Sequence, residues 1–150
     1  MTPNNFTLKS QEALQRANNI AIESGQQALE PIHLLAALLS QDDGVIPAII
    51  NKISPKSTNL RKEIDDILDS LPQTKARQDG GLAQIFLTQQ MAMVLEEANK
   101  KSKSFKDDYI STEHLLLGLL TNKPVEKLLG KYKVTEEAVM IALKEIRGNQ

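Results

Sequence analysis

A chain of 150 residues with 41% hydrophobic and 25% charged side chains has the make-up of one soluble globule. It contains no cysteine, which excludes disulfides, thiolate metal sites and cysteine nucleophiles, and its two histidines, His33 and His114, are too few for a three-histidine metal centre. A formal net charge of −1 gives no global field toward nucleic acid or an anionic membrane, and the longest apolar stretch, Ile32 to Leu39 with His33 inside it, is far short of the roughly 20 residues of a membrane span.

The apolar spacing is helical almost from end to end. Thr7 can cap a first helix over 7–24, and Pro31 suits the first turn of a second over 31–41. Val45, Ile46, Ile49, Ile50 and Ile53 form the stripe of a third over 45–53. Leu60, Ile64, Ile67, Leu68 and Leu71 share one face of a fourth over 57–71. The stretch 72–84 (PQTKARQDGGLAQ), with a Pro, a Gly-Gly pair and mixed charges, reads as a linker. Thr88 then caps a fifth helix over 88–104. Ser111 is a plausible cap for a sixth over 112–121, with Glu113 complementing the dipole of its first turn. Pro124 opens a seventh over 124–132, and Thr135 with Glu136 and Glu137 opens an eighth over 135–147. No run alternates with period two, so the expected class is all-α.

The two parts flanking the linker are related. A shift of 81 residues places Thr7 on Thr88, Leu14 on Leu95, Ala17 on Ala98 and Asn18 on Asn99, and it places His33-Leu34-Leu35 on His114-Leu115-Leu116. After a two-residue deletion the shift becomes 79, and Ile46, Ile49 and Ile50 meet Val125, Leu128 and Leu129, while Leu60, Ile64 and Ile67 meet Val139, Leu143 and Ile146. The expectation is one domain over 1–150, a pseudo-twofold tandem repeat of two four-helix units at 6–71 and 85–148. Each unit alone is marginal for a stable core, so the two should pack together.

Few residues suggest chemistry. His33 and His114 could form a metal or acid/base pair across the pseudo-twofold, but further ligands at fixed spacing are missing, and a packed histidine used twice by one folding template explains them better. Asp107, Asp108 and Glu113 flank the sixth helix, where they can serve the helix start, hold basic or N–H groups of a peptide, or act as acid and base. The basic cluster Lys100 to Lys106 (KKSKSFK) is followed at once by two aspartates, and residues 1–71 carry 6 basic and 9 acidic groups against 12 and 10 in 72–150. Neither pattern marks a nucleic-acid surface. The seven glycines are too scattered to build a phosphate loop.

These blocks resemble a known family. Phe6-Thr7 before Ala13-Leu14, Glu30-Pro31-Ile32-His33-Leu34-Leu35 and Ser111-Thr112-Glu113-His114-Leu115-Leu116 are similar to the Clp N-terminal domain, the double Clp-N repeat of AAA+ unfoldases, over about residues 6–148. Leu71-Pro72 and Arg147-Gly148 look most like the ClpB-type disaggregases. The resemblance implies a non-enzymatic, cytoplasmic module that binds unfolded or aggregated polypeptide and delivers it to an AAA+ ring. It implies no cofactor in this domain, with ATP and Mg used by modules outside it. It further implies a monomeric domain in a hexameric full-length protein that works with an Hsp70-type system, and no nucleic-acid or membrane partner. By the same resemblance Thr7, Asp107 and Glu113 are the substrate-binding residues. Two departures stand out: Glu97 and Lys101 fall where some relatives expose apolar residues, and Ile32 falls where the ClpC branch has a glutamate that receives phosphorylated arginine. The alternatives are the adaptor-docking domain of a ClpA/ClpC-type protease ATPase and, remotely, a small helical metal-dependent hydrolase.

Overall fold

The computed structural model describes residues 5–55, 57–73 and 85–148. Among the described residues, eight helices account for nearly all of the regular structure: α1 (Leu8–Glu23), α2 (Pro31–Leu39), α3 (Val45–Ile53), α4 (Thr58–Ser70), α5 (Gln89–Ser104), α6 (Thr112–Leu119), α7 (Lys123–Gly130) and α8 (Glu136–Gly148). The class is all-α, as the periodicity indicates. The expected linker 72–84 lies outside the described residues except for Pro72 and Gln73.

Local chemistry sets the helix starts. Thr7 and Thr88 accept the backbone N–H of Ser10 and Met91, each at 3.1 Å. Asn122 accepts from Val125 N and Thr135 from Ala138 N, so α7 and α8 are capped as well. The ends of α1 and α5 close alike. Gly25 and Lys106 both take left-handed φ values, 71° and 61°, and the N–H of the next residue reaches back to Ala21 O or Ser102 O at 2.9 Å. Gln26 and Asp107 therefore leave the two helices in the same direction.

Each half packs its first helix closely on its second. Ala13, Ala17 and Ala21 bury one face of α1, and Met91, Val94, Ala98 and Ser102 bury the matching face of α5. At the α5–α6 crossing the approach is so close that a Cβ on Gly118 would lie 2.5 Å from Val94 O and 3.1 Å from Ala98 N. Leu34, Leu35 and Leu38 of α2 and Leu115, Leu116 and Leu119 of α6 are fully buried in one shared core.

The halves are also interlocked. Residues 5–7, ahead of α1, run beside Ile110 of the second half: Phe6 forms a parallel bridge with Ile110, and Thr7 N donates to Ile110 O at 3.1 Å. The pseudo-twofold counterpart is a two-residue parallel ladder of β1 (Ala28–Leu29) and β2 (Phe86–Leu87), where Thr88 N donates to Leu29 O at 3.3 Å. These short ladders carry no period-two signal in the sequence. Farther out, α3 packs on α8 with Lys52 facing Glu145, and Lys131 at the end of α7 reaches Glu63 of α4 at 3.1 Å. Lys52 and Lys131 are repeat partners at the shift of 79.

Candidate functional site

The segment between α5 and α6 is held on three sides. Its start is fixed by the left-handed turn at Lys106, and its middle by Ile110 against Phe6 and Thr7. Ser10 adds to this hold: its buried hydroxyl donates to Ile110 O at 2.9 Å and accepts from Thr7 Oγ1 at 3.0 Å. The end is fixed by His114, whose Nδ1 accepts the N–H of Ser111 at 2.8 Å. Thr7 thus caps α1, and with Ser10 it pins the segment that carries Asp107 and leads into Glu113. It anchors this surface at its base.

The two histidines are a matched pair of core residues. His33 Nδ1 accepts the N–H of Glu30 at 2.9 Å, as His114 Nδ1 accepts that of Ser111. A backbone N–H can only donate, so in each neutral ring Nε2 carries the proton. In the first half Nε2–H meets Gln26 Oε1, whose own amide donates to Leu68 O at 2.9 Å. In the second half it meets Asp107 Oδ2 at 2.9 Å. Burial pushes the His33 imidazole down to about 4. Burial also lowers His114, and Asp107 opposes it. Both nitrogens of both rings are engaged by protein groups, and among the described residues no three His, Cys, Asp or Glu side chains converge on a metal position.

Asp107 and Glu113 come together around Arg147, to which the sequence reading gives no role at the site. Arg147, in the last turn of α8, reaches Asp107 Oδ2 from Nη2 at 2.8 Å and Oδ1 from Nη1 at 3.4 Å. The same Nη2 lies 3.6 Å from Glu113 Oε2. Its guanidinium sits 5.2 Å from the centre of the Phe105 ring, and that ring packs edge-on against His114 at 5.3 Å. The hydrogen bonds from Arg147 hold the Asp107 carboxyl below its ordinary value. Ser111 Oγ donates to Glu113 Oε1 at 2.8 Å, which orients that carboxylate. Phe105, which in sequence lies within the basic cluster, floors this site. The sequence signal for Arg147 is its place one residue after Ile146 on the apolar stripe of α8, which puts it beside the core edge.

The equivalent corner of the first half lacks both of these carboxylates, its one acid being Glu30 at the N-cap of α2. Gln26 stands where Asp107 does and Ile32 where Glu113 does, and Ile32 lines an apolar hollow of about 310 Å³ with Pro31, Ile67, Leu71, Pro124 and Leu128. Glu97 and Lys101 on α5 are tied into ion pairs, Glu97 with Lys100 at 3.3 Å and Lys101 with Glu136 at 2.6 Å, so these two positions present charge. No described helix is long and apolar enough to cross a membrane.

The sequence family Clp_N, the Clp repeat (R) N-terminal domain, matches residues 5–132. The chain belongs to this family. This Clp_N domain is 35% identical over 149 residues to the chaperone protein ClpB of Clostridium tetani, covering 97% of the chain and 17% of that relative. It is 36% identical over 148 residues to the ClpB of Bacteroides thetaiotaomicron, covering 98% of the chain and 16% of the relative. The Clp_N domain thus spans about a sixth of the curated relatives it matches. Its fold superposes on the Hsp104 N-terminal domain from Candida albicans with a TM-score of 0.83 at 22% identity, over 97% of this chain and 93% of that one. It also matches the N-terminal domain of ClpD from Arabidopsis thaliana with a TM-score of 0.67 at 18% identity, over 98% and 97% of the two chains. A Clp_N domain is an accessory part of Clp-type chaperones and is not itself catalytic.

Proposed function

We propose that this Clp_N domain is the substrate-engaging module of a ClpB-type chaperone, taking up unfolded or aggregated polypeptide and passing it to AAA+ modules elsewhere in the protein. The observation that carries this reading is the pair of carboxylates at the start of α6, Asp107 and Glu113, only 28% and 18% exposed but drawn together around one cation on a rigid edge of the domain. Thr7 contributes by anchoring the segment between α5 and α6. The apolar component of binding is small, since Glu97 and Lys101 are charged, so affinity rests on polar contacts and is weak. In the whole protein, ATP and Mg would be used by the AAA+ modules, the assembly would be a hexamer in the cytoplasm, and an Hsp70-type system would supply aggregates. The repeats at 6–71 and 85–148 would act as one rigid body beneath the site.

The test is a titration of this chain with an unfolded model polypeptide, following backbone amide resonances. Shifts should cluster at 107–114 and at residues 5–10. Shifts confined to the hollow at Ile32 would place substrate elsewhere and sink the site assignment.

A further inference from the structure

The two ladders that interlock the halves are built alike, yet their outer edges are finished differently. In the first, Ile110 N donates to Asn5 O at 2.7 Å and Thr7 N donates to Ile110 O at 3.1 Å. Phe6, between them, therefore turns its own N–H and C=O away from Ile110. That outward carbonyl accepts Gln11 Nε2 at 3.0 Å, and the Phe6 ring is buried. In the second ladder Phe86 N donates to Gln27 O at 2.7 Å and Thr88 N to Leu29 O at 3.3 Å, so Leu87 is the residue that faces outward. Leu87 holds the repeat position of Phe6, but the residue standing for Gln11 is Ala92, which has no side-chain amide to donate. Among the described residues nothing meets the N–H or C=O of Leu87. This edge is left open.

The open edge carries apolar side chains and lies next to a place for one more. Phe86 is 62% exposed and Leu87 51%, whereas Phe6 is 8% exposed. Both strands run at their C-terminal ends into the hollow of about 310 Å³, since Pro31 and Ile32 follow β1 and Gln90 follows β2. An added strand advances about 3.3 Å per residue, so a segment paired with Leu87 reaches the hollow within a few residues. A free N–H and C=O beside apolar side chains is what an extended polypeptide pairs with when it adds to a sheet edge. A helix keeps its backbone groups to itself and would leave both unpaired.

We infer that the outer edge of β2, with Leu87 as its pairing residue, and the hollow at Ile32 form a second polypeptide site, which takes an extended segment with aliphatic side chains by strand addition. Main-chain pairing asks nothing of the segment's sequence, and the hollow asks only for an aliphatic side chain. The site stands apart from Asp107 and Glu113 and goes beyond the reading given for them.

The experiment titrates this chain with a capped peptide of alternating leucine and threonine between terminal lysines, following backbone amide resonances and hydrogen exchange at Leu87. Amides of 85–90 and 29–32 should shift, and exchange of the Leu87 N–H should slow as the site fills. The same peptide N-methylated at every amide keeps its side chains but loses its donors, and it should bind roughly five-fold more weakly. Ala92→Gln, at an exposed helix position, supplies the cap that Gln11 gives to Phe6, and it should weaken binding of the plain peptide by a similar factor. Ile32→Glu, an acid that the repeat already accepts at Glu113, should weaken it as well by charging the hollow. Equal binding of the two peptides, or unchanged affinity in either variant, overturns the inference. Where a variant fails to fold, the peptide comparison on the parent chain decides alone. Shifts confined to 107–114 would overturn the inference and leave the reading of Asp107 and Glu113 standing.

Discussion

Gln26 and Asp107 hold the same position in the two halves of the domain, each accepting the Nε2–H of the histidine seven residues further along. One is neutral, and its amide also donates to Leu68 O within the same half. The other is charged and also takes two hydrogen bonds from Arg147 across 40 residues of sequence. A single template is thus retained for packing in both halves and given a second role in one.

The buried histidines make stability depend on pH with a definite sign. The unfolded chain takes up a proton at His33 near the ordinary value of 6.5, whereas the folded chain does so only at about 4. The contribution is complete above the unfolded value, declines as pH falls between those two values, and stops declining below the lower one. The loss is on the order of 3 kcal/mol at its limit. His114 is lowered too, so it acts in the same direction. Urea midpoints measured at neutral pH and near about pH 4.5 check this; a midpoint that does not fall would show that His33 is not buried neutral.

Gly118→Ala should destabilise the domain by about 1–3 kcal/mol, because its Cβ would lie 2.5 Å from Val94 O and backbone must move. The first half takes alanine at the matching position, Ala37, which is fully buried without conflict. Ala37→Gly should therefore cost only about 1 kcal/mol, the helix-propensity difference. Thermal melts of both variants measure the asymmetry. A Gly118→Ala protein as stable as its parent would mean that α5 and α6 lie farther apart.

Thr7 and Thr88 separate capping from site support. Each accepts one backbone N–H, so alanine at either should cost about 1 kcal/mol. Only Thr7 is tied through Ser10 to Ile110, whereas the Thr88 hydroxyl goes to Leu29 O at 3.1 Å. Thr7→Ala should move the amide resonances of 107–114 and weaken polypeptide binding. Thr88→Ala should lower stability and leave that binding unchanged. Equal loss of binding in the two variants would refute a local role for Thr7.

Lys106 sits at φ 61°, a backbone shape that its repeat partner Gly25 adopts at 71° without a Cβ. Lys106→Gly should raise stability by up to about 1 kcal/mol, the relief of strain being partly offset by the greater freedom of the unfolded chain. Denaturant unfolding of this variant gives the number, and a net loss would mean that the lysine side chain makes a contact worth more than the strain.

How far the sequence reaches is clear from particular residues. The α1 and α5 starts are legible because a Thr cap is a local device, and the stripes of α4 and α8 because helical burial repeats every three to four residues. The seventh helix is expected at 124–132 and found at Lys123–Gly130, since Asn122, and not Pro124, sets its start. The two short ladders escape notice because two residues cannot display alternation. Asp107 and Glu113 are visible as acids at a helix start, yet the cation between them is not, because its position depends on how α8 lies against α5. Phe105 is misleading in sequence for the same reason: its charged neighbours point to solvent while its ring turns inward, beneath Arg147.

The segments ahead of α1 and α5 each lie in the half to which they do not belong, bridged at Ile110 and at Leu29. Topologically this is an exchange of arms, such as two protomers make when they swap an element. The arms and the shared core supply the grip between the halves. A chain severed between Gln73 and Ile85 should remain one particle, and two fragments made separately, ending at Gln73 and starting at Ile85, should find each other and rebuild the whole.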